Sequence, residues 1–321
     1  MPYVLSSDNK IFYDSCGTGT PLLLINGFGP PCDWIEQFYL PHFKTDFHCA
    51  WFDLRGIGRS SELTPDADYT LSAHAKDVIA VLDALGWDSA HIWGASFGAA
   101  LSLELVSSYP ERVRALAIAA ADAGMPSVYQ RAYANIYDAR RIYFNGLALQ
   151  ASDPKKAAED MLTAYFPSAW HGTNPRVDEV RRALITMFKE RPMKQLMSPF
   201  KDIIEMEIRS ADLPEKPAQK ANDSDIYWSQ LEGLKSIAHP VLLLQGYSDM
   251  LVHRDAAFYV AGQLENVELR LIKPAAHSFA ISDEHLEGMA AWLKRREQDY
   301  NGQIAKAVPG APRNEPKAAR C

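Results

Sequence analysis

The sequence predicts an α/β fold built on a largely parallel sheet, and three features carry that expectation. Short apolar runs of strand length alternate with stretches of helical periodicity, the pattern of βαβ units. A glycine-flanked serine, Gly94-Ala95-Ser96-Phe97-Gly98, stands where one such run gives way to one such helix. Between Gly124 and Ala238 the alternation stops, and a long stretch without any β-rich run takes its place.

The elements follow in order. Tyr3–Leu5 and Ile11–Asp14 flank Ser7-Asp8-Asn9-Lys10 and read as a hairpin. Buried strands are expected at Pro21–Asn26, Phe47–Phe52, His91–Trp93, Val113–Ala119, Val241–Gln245 and Glu268–Ile272. Leu71–Leu85 places Ala75, Val78, Ile79 and Leu82 on one helical face, and Gly86 is positioned to close that helix. The insertion holds six of the nine methionines. Most of these, with its many aromatics, are expected to be helix-packing core, but pliable and flat side chains also suit a lid over an apolar ligand. After Tyr300 the composition turns to Ala, Pro, Gly and charge, so residues 300–321 are expected to be a disordered tail. The expected organisation is a core of residues 1–123 and 239–299 with a helical insertion at 124–238.

Composition narrows the function. The chain has 321 residues and a net charge of −7, with no basic patch to suit a nucleic acid or an anionic membrane. No apolar run approaches the ~20 residues of a membrane span. The start, Met1-Pro2-Tyr3-Val4-Leu5, shows neither a basic nor an apolar leader region. Cys16, Cys32, Cys49 and Cys321 have neither framework nor C-x-x-C spacing, and four thiols suggest a reducing cytoplasm. No H-E-x-x-H or clustered ligand spacing marks a metal site, and the glycine pairs at Gly27 and Gly56 lack a dinucleotide fingerprint. No metal and no cofactor are expected. Oligomeric state, a homodimer included, is not legible.

The chemistry centres on Ser96. A serine at a tight strand-to-helix turn is held strained with its hydroxyl thrust outward, and the following helix aims free N–H groups at developing negative charge. The hydroxyl needs a base, and the base needs an orienting partner. His277, in Pro274-Ala275-Ala276-His277 just after the last strand, is best placed for the first role. Asp249, just past Val241–Gln245, suits the second, although it could instead cap the helix that begins near His253. Asp122, after Val113–Ala119, is the alternative acid. His253 lies too near Asp249 to be the base; His91 reads as a strand residue and His239 as a pre-proline turn residue. Asp53 and Arg55 are expected to brace their loop as a charged pair. Cys32 is either at a pocket mouth or buried.

At this point the chain resembles the α/β-hydrolase fold superfamily. The resemblance rests on Asn26-Gly27-Phe28-Gly29, Asp53-Leu54-Arg55-Gly56-Ile57-Gly58-Arg59-Ser60, the Gly94–Gly98 turn, Tyr109-Pro110-Glu111-Arg112-Val113, Gly246 with Asp249, and His277. It implies an eight-stranded, mostly parallel sheet flanked by helices, with an α-helical cap inserted after the sixth strand. It implies Ser96 as nucleophile, His277 as general base and acid, and Asp249 as orienting carboxylate. The backbone N–H groups of Phe28 and Phe97 would form the oxyanion hole. Many relatives carry His where this chain has Asn26, which leaves the bracing of that loop to be explained.

The expected activity is hydrolysis of a carboxylic ester or lactone of a fairly apolar small molecule through an acyl-enzyme. Met125, Tyr137 and Trp170 are candidate pocket residues. Carbon–carbon or amide hydrolysis on the same fold, and a triad-bearing small-molecule receptor with slow turnover, are the alternatives. Relatives that dehalogenate or open epoxides use Asp where this chain has Ser96, which disfavours those reactions.

Overall fold

A computed structural model describes residues 2–62, 68–122, 142, 146–147, 149–167, 170–191, 233–277 and 282–307. Eight strands form one sheet: β1 (Tyr3–Ser6), β2 (Asn9–Cys16), β3 (Thr20–Ile25), β4 (Phe47–Phe52), β5 (Ala90–Ala95), β6 (Val113–Ala119), β7 (Val241–Gly246) and β8 (Val267–Ile272). Their spatial order is β1-β2-β4-β3-β5-β6-β7-β8. The β1–β2 and β2–β4 pairs are antiparallel, and every pair from β4 through β8 is parallel. β4, β5 and β7 are buried along their whole length, which is why they read as mostly apolar rather than alternating, with His48, His91 and Gln245 the polar exceptions. The first hairpin turns at Ser7, which takes φ 52°.

The main helices are α1 (Asp33–Phe38), α2 (Leu40–Phe43), α3 (Leu71–Leu85), α4 (Phe97–Ser108), α5 (Pro154–Tyr165), α6 (Pro175–Glu190), α7 (Arg254–Gln263) and α8 (Asp283–Ala307). α3 shows how local signals set the bounds. The Thr70 side chain accepts from the Ala73 N–H at its start, and Gly86 ends it in the left-handed conformation at φ 68°. Between those caps Leu71, Ala75, Val78, Val81 and Leu82 face the core. α3 packs on α4, and α2 packs on α8.

Two expectations are corrected. The last helix continues to Ala307, beyond the Tyr300 at which a tail was expected. Leu286, Met289, Trp292 and Leu293 are buried and anchor it upstream. The ~1 kcal/mol that Gly302 costs relative to Ala does not stop a helix held that way. Residues 308–321 lie outside the described residues. Cys16 is disulfide-bonded rather than a free thiol, because spacing motifs report frameworks and not an isolated bond closed by the fold. That removes free-thiol usage as an argument for a reducing compartment. Cys32 and Cys49 are free and buried. Among the described residues no helix is long and apolar enough to cross a membrane.

The inserted segment lies between β6 and β7, and its described residues include α5 and α6, which pack on one another. α6 is tied to the core near both ends. The Arg176 guanidinium lies 5.0 Å from the centre of the Phe38 ring and 3.6 Å from Asp283, and Arg191 pairs with Asp33.

Candidate active site

The turn after β5 explains both of its glycines by close approach. A Cβ on Gly98 would lie 2.3 Å from the Ile25 carbonyl oxygen, and one on Gly94 would lie 2.4 Å from that of Gly98. Only hydrogen at both positions lets α4 start against the end of β3. Ser96 sits between them at φ 54° and ψ −117°, a conformation costly for a residue with a side chain. Its side chain is half-buried at the C-terminal edge of the sheet.

The loop after β3 is fitted against that serine. A Cβ on Gly27 would lie 3.4 Å from Ser96 Cβ, so the two loops touch. Asn26 supplies the bracing that the sequence left unexplained. Its Nδ2 donates to the carbonyls of Pro30 at 3.0 Å and Pro31 at 3.3 Å, while its Oδ1 accepts from the Gly27 N–H at 2.9 Å. Phe28 and Phe97 then meet edge to face with ring centres 6.0 Å apart.

Backbone hydrogen bonds join the loop bases along this edge. Ser96 N–H donates to Ala119 O at 2.8 Å, and Ala120 N–H to Leu244 O at 3.0 Å. Tyr247 N–H donates to Ile272 O at 2.9 Å, and Ser248 N–H to Ala275 O at 2.8 Å. The loops that carry residues 96, 249 and 277 are thereby secured to neighbouring strands or loops.

His277 Nδ1 lies 2.8 Å from Asp249 Oδ2. A carboxylate only accepts, so the ring proton sits on Nδ1 and Nε2 is left as the basic nitrogen. Asp249 is 1% exposed. Its Oδ1 accepts from the N–H groups of Leu251 at 2.8 Å and Val252 at 3.0 Å, so it orders the approach to α7 as well as holding the imidazole. The cap of α7 itself is His253, whose ring accepts from Asp255 N–H. Asp122 is half-buried past β6, and the imidazole Nδ1 goes to Asp249 instead. No hydrogen bond joins Ser96 to His277 among the described residues; such contacts commonly tighten only when substrate is bound.

The other candidates fall as follows. Met125 and Tyr137 lie outside the described residues. Trp170 lies tilted against Phe166, their ring centres 6.2 Å apart. Tyr165, at the end of α5, brings its ring centre to 5.7 Å from that of His277 and 6.1 Å from that of Trp34. The sequence reading missed Tyr165. The signal was the spacing of Ala157, Met161, Leu162 and Tyr165, one buried face of a helix, although that spacing does not say what the face meets.

Asp53 and Arg55 do brace loops, but not as a pair. Arg55 grips Asp77 through two bonds of 2.7 Å, and Asp53 accepts from Cys32 N–H at 2.7 Å and Arg59 N–H at 2.8 Å. Cys32 is buried, and burial, then the Asp53 carboxylate, push its thiol well above the ordinary value. That shift disfavours its thiolate, against the Arg59 guanidinium 2.9 Å from the sulfur. His91 bonds Glu297 at 3.0 Å from β5, and His239 bonds the Pro110 carbonyl at 3.0 Å.

His74, on α3, is fully buried between Tyr69 and Phe97, its ring centre 5.0 Å from that of Phe97. Burial pulls it from the ordinary 6.5 down to about 4, against the opposing bond to the Thr70 carbonyl. The unfolded chain therefore binds this proton more tightly than the folded one. The stabilisation is complete above about pH 6.5 and is lost as pH falls toward about 4. The difference is on the order of 3 kcal/mol at full extent. Denaturant unfolding across that window is expected to show His74→Phe losing less stability than the wild-type chain by a margin of this order. Parallel curves would show that His74 is not the group responsible.

A family model described as alpha/beta hydrolase fold matches residues 20–284. The chain belongs to that family, and hydrolase is the class of enzyme the family and its relatives support. A zearalenone hydrolase of Cladophialophora bantiana is 30% identical over 180 residues, 52% of this chain and 60% of that one. A poly(3-hydroxyalkanoate) depolymerase of Ectopseudomonas oleovorans is 35% identical over 131 residues, 39% of this chain and 45% of that one. The chain thus spans about half the length of these relatives. A RutD protein of Variovorax paradoxus, which its name ties to carbamate hydrolysis, is 24% identical over 296 residues, 92% of this chain and 95% of that one. Among solved structures, an enol-lactonase from Burkholderia xenovorans LB400 superposes with a TM-score of 0.66 at 16% identity, covering 91% of this chain and all of that one.

Proposed function

We propose that this chain is a serine hydrolase that cleaves a carboxylic ester or lactone of a fairly apolar small molecule through an acyl-enzyme. The observation that carries the reading is the His277–Asp249 bond at the ends of β8 and β7, on the sheet edge where Ser96 stands strained at the end of β5. Ser96 Oγ attacks the carbonyl carbon while His277 Nε2 takes its proton and Asp249 steadies the imidazolium. The N–H groups of Phe28 and Phe97 receive the oxyanion; donors in this role supply ~3–4 kcal/mol each. The imidazolium then protonates the departing alkoxide. Water attacks the acyl carbon, gives its proton to His277, and Ser96 Oγ leaves with that proton. No step calls on a metal or cofactor.

An ester or lactone is favoured over an amide or carbon–carbon bond because its leaving group needs less help. The name of the enol-lactonase that shares this fold fits the same preference. The inserted α5 and α6 act as a lid, and the aromatic rings of Phe28, Phe97 and Tyr165 suit an apolar acyl group.

A panel of aryl esters, lactones and anilides, with mass-spectrometric mapping of a fluorophosphonate adduct, tests this. The adduct is expected on Ser96, with many turnovers on esters or lactones. An adduct elsewhere, turnover confined to anilides, or a single turnover with product retained would each overturn the reading.

A further inference from the structure

The fully buried Gln245, the last but one residue of β7, is used by no step above. Its Nε2 lies 2.8 Å from Val252 O, 3.2 Å from Gly246 O and 3.3 Å from Asp249 Oδ2. All three neighbours are acceptors, so the nitrogen must face them; turned over, the amide would set an oxygen against three others. The cost of this orientation is visible at the opposite end, where Gln245 Oε1 is buried with no partner among the described residues. A buried amide held with its acceptor unsatisfied is held for its donor. That donor meets Asp249 Oδ2, the same oxygen that takes the proton of His277 Nδ1.

Resting on the serine-hydrolase reading, we propose that Gln245 is a positioning residue for the acid, fixing the rotation of the Asp249 carboxylate and moderating its negative charge. With Gln245 donating to Oδ2 and the Leu251 and Val252 amides donating to Oδ1, the carboxylate plane is held from both sides. The imidazole is then aimed before substrate arrives. Without the amide, Oδ2 carries more charge and loses one of the two donors that fix its direction. More charge beside the imidazole favours its protonated form, so the base is disabled to a higher pH.

The experiment is the pH dependence of kcat/KM on p-nitrophenyl butyrate for the full chain, for Gln245→Met, which keeps the length and removes the donor, and for Gln245→Leu, which removes the donor with a second apolar shape. Both variants are expected to move the acid limb to higher pH by about half a unit or more. In both, kcat should fall roughly tenfold while KM stays within about twofold. An unmoved limb in either folded variant means that Gln245 only fills space, and overturns the proposal. Should neither variant fold, the wild-type amide still answers by NMR. Its side-chain protons are expected to exchange slowly and to shift on Asp249→Asn; rapid exchange or no shift overturns the proposal. Asp249→Asn run in the same assay separates the two levels. If it leaves kcat intact, the catalytic reading fails; if it removes activity while the Gln245 variants keep the wild-type limb, only the role of Gln245 fails.

Discussion

Ser96→Ala is expected to abolish turnover of aryl esters and lactones, with a loss of at least about four orders of magnitude in kcat. The size follows from what remains. The Phe28 and Phe97 amides would still hold an oxyanion and the pocket would still bind substrate, so a small residual rate above water survives. KM should change little, because the hydroxyl contributes to the transition state and not to ground-state binding. Stability should not fall either. Ser96 is held at φ 54° by the packing of Gly94 and Gly98, and Ala tolerates that strain no worse than Ser. Steady-state kinetics and thermal melts on the purified variant check both halves. Near-normal turnover would remove Ser96 from the mechanism.

Asp249→Asn is expected to cost about three to four orders of magnitude in kcat with the fold intact. Asn is isosteric, and the Leu251 and Val252 amides can still donate to its carbonyl oxygen. The nitrogen placed near His277 would donate rather than accept. That forces the imidazole into the other tautomer, with the proton on Nε2 where the base must be empty. Gln245 Nε2 would also face a donor at 3.3 Å instead of an acceptor. Asp122→Asn, by contrast, should leave kcat within a few-fold, since the imidazole Nδ1 goes to Asp249. Paired kinetics on the two variants assign the acid. The reverse ranking would mean that the His277–Asp249 bond is not the one used in catalysis.

Much of the architecture was legible because its determinants are local. The bounds of α3 follow from a threonine cap and a terminal glycine, and the buried strands from short, mostly apolar runs. The serine turn was legible for the same reason: its glycines, strand and helix are contiguous. The candidate acid and base could be placed at strand ends, since in a parallel sheet those ends share one edge. What could not be read depends on tertiary choice. Arg55 had Asp53 two residues away and took Asp77 instead, because α3 brings that carboxylate to its guanidinium with room for two bonds. Trp170 and Tyr165 lie close in sequence on the insertion, and only the seating of α5 decides that Tyr165 meets His277. Gln245 passed unnoticed because an amide inside an apolar strand carries no periodic signal.

The bases of the loops after β5, β6 and β7 are joined to their neighbours by peptide groups, over and above what side chains add within each loop. Peptide groups are the one part of a protein that substitution leaves unchanged, proline aside. A reactive centre suspended in this way can therefore outlast wholesale turnover of the residues around it, while the roof above is remade to admit another molecule. Proteins on this plan are then free to drift until under a fifth of their residues coincide and still superpose, as the enol-lactonase does at 16% identity.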